Sequence, residues 1–348
     1  MKKLLKVLHK AVRDRAAERP EIEPLPDSVR IEGRTCLVTG ANSGVGKAVA
    51  IDLARRGGHV LMACRSGHPE AGEDVRAASG SDRVEMLRVD LSDMRSVHQL
   101  CDELRDRGTV LDIAVLNAGL MPRRARRTAQ GFETMFAVHF LANRVLVDRW
   151  LRDGTVRPAD RIEEAPRIVI VSSDAHRSAE PIDFDRFGEF TDYGVRDGLR
   201  HYGASKLVLC TYATELSRRL NRDGEGHVVV HSLCPGPVNT AIAREAPWFL
   251  KPLVVPMMRF FFLTPEKAAR PVSYLCCADD AGKRSGIYLH MLREKRPSEH
   301  ATDPSNSVRL WRASEALLET HAPLRSERAR QKLGALAFPP ASGTKRRL

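Results

Sequence analysis

The chain has 348 residues, of which 43% are hydrophobic, 29% charged and 5% aromatic. That is enough apolar material for a sizeable core, and it excludes a chain disordered along its whole length. The net charge of +12 sits mostly at the ends: residues 1–19 carry +5 and residues 321–348 carry +6, and taking both from the total leaves +1 on the body.

The first 32 residues form a basic amphipathic segment. Leu4, Leu5, Leu8, Ala11 and Val12 share one helical face, with Lys2, Lys3, Lys6, Lys10 and Arg13 around it. Two readings stay open for that helix: peripheral membrane contact, or packing on the body. A continuous apolar middle and a small-residue cleavage site are both missing, so it is not read as a secretory signal. Short apolar runs then alternate with helical patterns. Strands are expected over 34–39, 59–64, 83–89, 112–116, 167–171, 227–233 and about 287–290, and helices over 46–56, 94–105, 131–151, 202–220 and 265–277. Buried strands separated by helices predict an α/β fold with a doubly wound parallel sheet covered on both faces. We read one such domain over 33–292. A C-terminal extension over 293–348 follows, with one helix at 307–320 and a basic tail. No run approaches the roughly 18–20 apolar residues that span a bilayer. Seven scattered cysteines without a CxxC pair point to reduced thiols in a cytoplasmic setting and to no cysteine-held metal. Neither basic tail interleaves aromatic residues with its charge, so no nucleic-acid partner is expected.

Thr39-Gly40-Ala41-Asn42-Ser43-Gly44-Val45-Gly46 joins the first strand to the first helix. Glycines there allow a sharp turn and let backbone N–H groups approach a pyrophosphate at a helix N-terminus. The second strand ends in Ala63-Cys64-Arg65-Ser66. An acid at that strand end would bind the ribose hydroxyl of NAD, whereas an arginine suits the 2′-phosphate of NADP. With Arg65 present and the acid missing, NADP(H) is expected over NAD(H).

Ser172 and Ser173 close the fifth strand, and Tyr202 and Lys206 stand four residues apart on one face of the following helix. A free phenol titrates near 10, too high for acid–base work at neutral pH, and a nearby ammonium group would lower it. Such a tyrosine could pass a proton to a carbonyl oxygen as hydride arrives, with Ser173 donating a hydrogen bond to the same oxygen.

These features together resemble the short-chain dehydrogenase/reductase family, with its Rossmann-type fold. The matching residues run in family order over about 260 residues: TGANSGVG at 39–46, Asp90-Leu91, Asn117-Ala118-Gly119, Ser173, Tyr202 with Lys206, and Pro235-Gly236 followed by Thr240. ACR at 63–65, GFETMF at 131–136 and RIVIVSSDAH at 167–176 are most similar to its retinol-dehydrogenase-like group. The resemblance implies catalytic roles for Ser173, Tyr202 and Lys206. It implies a cofactor cradle of Gly40, Asn42, Ser43, Gly44, Val45 and Gly46, with Arg65 at the 2′-phosphate and Asp90 and Leu91 at the adenine. Asn117, Ala118 and Gly119 would line the cleft, Tyr202 and Lys206 would touch the nicotinamide ribose, and Pro235, Gly236 and Thr240 would hold the carboxamide side. One position departs from the pattern: the usual asparagine of the proton relay is His139, read as a tolerated substitution in preference to an altered relay.

The segment 247–271, with Trp248, Phe249, Met257, Met258 and phenylalanines at 260–262, is rich enough in apolar residues to roof a lipophilic substrate or to bury itself on the core. The expected activity is therefore NADP(H)-dependent hydride transfer with a lipophilic alcohol, aldehyde or ketone. A cofactor-binding regulatory or scaffold protein with little turnover is the alternative.

Overall fold

The computed structural model describes residues 21–221, 227–237 and 263–321. The amphipathic reading of the N-terminus, Thr240, the apolar residues from Trp248 to Phe262 and the basic C-terminal tail lie outside the described residues. The sheet comprises β1 (Thr35–Thr39), β2 (His59–Cys64), β3 (Val84–Arg88), β4 (Ile113–Leu116), β5 (Arg167–Val171), β6 (Val229–Cys234), β7 (Tyr288–His290) and β8 (Arg293–Glu294). Their spatial order is β3-β2-β1-β4-β5-β6-β7-β8, parallel throughout except for the antiparallel β8. This is the doubly wound sheet expected from the sequence. The order reverses between β1 and β4, and ligands of such sheets bind at the strand C-termini beside that switch.

Both faces of the sheet are buried because alternate residues of each strand feed different cores. Leu37 and Leu61 pack with helices α3 (Met94–Asp106), α4 (Ala142–Asp153) and α5 (Gly198–Arg219). Cys36, Val38, Val60 and Met62 pack on the opposite side with α1 (Gly44–Arg55), α2 (Glu70–Ser79) and α6 (Pro265–Cys277). Burying a medium-sized apolar side chain contributes roughly 1.5–3 kcal/mol, so two full cores fix the sheet firmly. Among the described residues no helix is long and apolar enough to cross a membrane.

Several elements differ from the sequence reading. Helix α2 was not expected there, because its polar, alanine-rich run buries only Ala71, Gly72 and Val75. The continuous helix expected over 131–151 is a short turn (Thr134–Phe136), a π-helical turn (Ala137–Leu141) and then α4. A π turn inserts a residue into the hydrogen-bond ladder, and here it holds His139. Helix α5 starts at Gly198, so Tyr202 lies in its second turn and does not open it.

The C-terminal helix α7 (Pro304–His321) is tied to the body by buried charge and aromatic contact. Trp311 stacks on Tyr212, and the guanidinium groups of Arg144 and Arg219 lie 4.2 and 4.0 Å from its ring centroid. Asp148 lies 3.1 Å from Arg144, and Glu215 lies 2.6 Å from Arg219. Buried ions are costly unless paired, and the indole covers both. Trp311→Ala should therefore lower unfolding stability by about 3–5 kcal/mol, read as a fall in the urea midpoint. The melted fraction should include α5, not only the terminal helix.

Candidate active site

The cleft is built from the ends of β1, β4, β5 and β6. Thr39 ends β1, and its Oγ1 accepts the N–H groups of Asn117 at 3.0 Å and Ala118 at 3.1 Å. Asn117 Nδ2 donates back to the Thr39 carbonyl at 2.9 Å. The loops after β1 and β4 are therefore locked together. At Gly46 a Cβ would lie 2.4 Å from both the Asn117 Nδ2 and the Gly40 carbonyl oxygen, so only glycine lets α1 start this close to the β1 turn. Gly40 has φ of 66°, a left-handed conformation that favours glycine. No acid occupies the first turn of α1, and Ser43 makes no side-chain cap. Uncapped N–H groups at a helix start, beside a glycine surface a Cβ would fill, suit a dinucleotide pyrophosphate.

The far rim carries the residues expected near adenine and its ribose. Asn42 Nδ2 donates to Ser66 Oγ at 3.4 Å, and Val45 lies in the first turn of α1. Arg65 is largely exposed and reaches to 3.8 Å from Asp90. Asp90 itself is held by the backbone N–H and hydroxyl of Ser92, at 2.9 and 2.6 Å, while Leu91 is buried beneath it. Pro235 and Gly236 follow β6, where Gly236 has φ of 92°.

The residues expected to do acid–base work, Ser173, Tyr202 and Lys206, come together at the end of β5. Lys206 is buried, and its Nζ donates to the carbonyl of Val171, the last residue of that strand, at 3.0 Å. It lies 5.7 Å from the Tyr202 ring centroid and 3.7 Å from where a Cβ on Gly119 would stand. Ser173 begins the helical turn Asp174–Ser178, its Oγ accepting the Ala175 N–H at 3.2 Å. Helix α5 approaches that turn at Gly203, where a Cβ would come 3.0 Å from the Ala175 carbonyl oxygen. Burial pushes the Tyr202 phenol up to about 12, with the Ser173 hydroxyl bond pulling the other way. Burial also pushes Lys206 down to about 8. The sequence reading had the ammonium lowering the phenol. Desolvation is the largest effect on the phenol here, and the ammonium is turned to the Val171 carbonyl.

His139 is buried, and both ring nitrogens are used. Nε2 accepts the Leu120 N–H at 3.0 Å, which places the proton on Nδ1, 2.9 Å from Ser205 Oγ. The Ser205 hydroxyl in turn donates to the Tyr202 carbonyl at 2.8 Å. Burial first, then the Lys206 charge, hold the imidazole well below its ordinary pKa. The ring is a neutral strut between the loop after β4 and helix α5. Ser205 was not foreseen as its partner. Its position three residues after Tyr202 is the one signal in the sequence.

The buried ammonium yields a prediction with a definite sign. Below pH 8 Lys206 is charged in both the folded and unfolded chain, and burial penalises only the folded one. Lys206→Met should therefore unfold at a higher urea concentration at pH 7, by about 1–2 kcal/mol. The gain should shrink as pH rises from 8 to 10.5, where the parent lysine is neutral in the fold but still charged when unfolded. Urea titrations at pH 7 and pH 10 check both parts.

Comparison with known proteins agrees with this geometry. A profile of the short chain dehydrogenase family matches residues 34–181. Retinol dehydrogenase 13 of Homo sapiens is 33% identical over 309 residues, covering 86% of this chain and 88% of that protein. Retinol dehydrogenase 14 of Mus musculus is 33% identical over 304 residues, covering 83% and 86%. Among solved structures, an uncharacterized protein from Mycobacterium Paratuberculosis superposes with a TM-score of 0.65 at 27% identity, covering 87% of this chain and all of that one. The Pseudomonas aeruginosa RhlG/NADP complex shares the fold, with a TM-score of 0.56 at 23% identity over 77% of this chain and 98% of that one. The chain thus belongs to the short-chain dehydrogenase/reductase family, in its retinol-dehydrogenase-like group, and is an oxidoreductase of CH–OH groups that uses a nicotinamide cofactor.

Proposed function

We propose that the protein interconverts lipophilic alcohols and their aldehydes or ketones with NADP(H), Ser173, Tyr202 and Lys206 being the catalytic residues. The observation that carries this is their convergence at the end of β5, beside the glycine cradle of β1 and α1. The cofactor, when bound, supplies or accepts the hydride. Tyr202 Oη holds the proton exchanged with the substrate oxygen, and the Ser173 hydroxyl donates to that oxygen and orients it. Lys206 brings positive charge to the same pocket and would help hold the nicotinamide ribose. Gly40, Asn42, Ser43, Gly44, Val45 and Gly46 would hold the pyrophosphate, and Asp90 and Leu91 would flank the adenine. Asn117, Ala118 and Gly119 would line the cleft, and Pro235 and Gly236, with Thr240 beyond the described residues, would take the carboxamide side.

The preference for NADP(H) rests on Arg65, exposed at the end of β2 where a carboxylate would select NAD(H). The lipophilic substrate rests on the mouth of the cleft. Met121, Val195 and Leu199 are the exposed large apolar side chains among the described residues. Met121 lies two residues beyond Gly119, and Leu199 one helical turn before Tyr202. The mouth is also brought together by the backbone, since Ala125 N–H donates to the Tyr193 carbonyl at 3.0 Å. An apolar rim at a polar catalytic centre suits a substrate with one reactive oxygen on a hydrocarbon body. Peripheral contact of the N-terminal segment, residues 1–32, with a membrane would bring such substrates within reach.

Two substitutions test this reading. Arg65→Ala should weaken NADPH binding by about 1.5–3 kcal/mol and leave NADH binding nearly unchanged, measured by fluorescence titration. Equal affinity of the parent protein for both cofactors would overturn the preference. Tyr202→Phe keeps the ring and loses the hydroxyl, so turnover should fall about 10²–10⁴-fold with NADPH affinity nearly unchanged. A panel of lipophilic aldehydes and ketones, followed by NADPH absorbance, supplies the assay. Near-parent turnover in Tyr202→Phe would remove the acid–base assignment and favour a binding protein.

A further inference from the structure

Asp174 directly follows Ser173, and its carboxylate is the centre of a partly buried cluster supplied mainly by the C-terminal end of the sheet. The Tyr288 hydroxyl donates to Asp174 Oδ1 at 2.7 Å. His290 Nδ1 lies 3.1 Å and Lys295 Nζ 3.6 Å from Oδ2, and Arg177 Nε, on Asp174's own turn, lies 3.4 Å from Oδ1. The other side of the turn is tied to the same segment. The Ser298 N–H donates to His176 Nε2 at 3.0 Å, so Nδ1 carries the proton and donates to the Ser173 carbonyl at 2.7 Å. Ser173 is thereby held from both flanks by residues 288–298.

We infer that Asp174 is a positioning residue for the Ser173 hydroxyl, clamped by His290, Tyr288 and Lys295 so that the β7–β8 hairpin sets where the serine points. The inference rests on the catalytic reading of Ser173 given above. Burial opposes charge on Asp174, but His290, Tyr288 and Arg177 outweigh it and hold the carboxyl far below the usual carboxylate range. Burial likewise opposes charge on His290, yet Asp174 and then Cys234 push it up to about 9. The pair is therefore ionised at neutral pH. Asp174, Cys234 and His290 also bring one ligand atom each within 4.8 Å of one another. Arg177 and Lys295 already neutralise the carboxylate, so this cluster is filled by the protein's own cations and is not read as a metal site. A serine hydroxyl must lie within a hydrogen bond of the reacting oxygen. A shift of about 1 Å in such a group costs on the order of 10²-fold in rate.

The test is a mutant cycle with cofactor and substrate saturating, on whichever aldehyde or ketone of the panel is reduced fastest. Asp174→Asn keeps the shape and loses the charge. It should lower kcat about 10–100-fold, with the NADPH dissociation constant unchanged as the mark of an intact fold. His290→Gln keeps a donor and loses the charge, should give the same kcat loss, and decides the matter if Asp174→Asn does not fold. In a Ser173→Ala background Asp174→Asn should cost nothing further, because its target is gone. A kcat within twofold of the parent in the folded single variants overturns the inference, as does an undiminished loss in the Ser173→Ala background. If Ser173→Ala alone keeps the parent kcat, the role of the serine itself falls, an outcome distinct from failure of the clamp.

Discussion

A buried ammonium group is the constraint around which the active centre is arranged. Lys206 lies on the inner face of α5, and its charge has the Val171 carbonyl as its hydrogen-bond partner at the strand end. Burying an unpaired charge would cost several kcal/mol, so α5 has to sit where that carbonyl can be reached. Gly203 permits the approach by leaving no Cβ against Ala175. The His139–Ser205 bond then fixes the same helix to the loop after β4. These contacts sit around one buried cation at the top of the sheet. Together they leave Tyr202 and Ser173 facing one point.

The two ends of α5 are governed by different physics. At its C-terminal half the Arg219–Glu215 pair and the ring of Trp311 bind α7 by charge and aromatic contacts. At its N-terminal half the helix carries the exposed Leu199 and the half-buried Tyr202. That half also buries Gly203, Ser205, Lys206 and Leu207, so it is packed around the half-buried Tyr202.

The fold was legible because its signals are local. A β-branched strand followed by glycines and a helix is readable within about a dozen residues, and the buried strands are apolar on both faces. Gly40, Gly46, Tyr202 and Lys206 were readable for the same reason, since each is defined by spacing to a neighbour. What escaped reading depends on tertiary contact. Helix α2 buries too few residues to show a period, although Glu70 and Glu73 in its first turn and Gly80 after its end were available signs. The π turn at His139 cannot be seen in a residue pattern that suits an α-helix equally well. Tyr288 and Asp174 are 114 residues apart, so nothing in the sequence around Ser173 announces the clamp. His290 resembles any histidine at a strand end until the carboxylate beside it is known.

The same desolvation that complicates the lysine sets the resting state of the tyrosine. Burial favours neutral forms, so it raises a phenol and lowers an ammonium together. At neutral pH Tyr202 therefore carries its proton. That is the form needed to meet a carbonyl oxygen as negative charge develops on it. An alcohol substrate requires the reverse, a phenolate, and the nearest groups able to stabilise one are the Ser173 hydroxyl and the Lys206 ammonium. Turning that ammonium from Val171 toward the phenol would lower the phenol's pKa and leave the strand-end carbonyl to another donor. On the proposed reading, a site resting as an acid would become able to act as a base when the Lys206 ammonium leaves the Val171 carbonyl for the phenol.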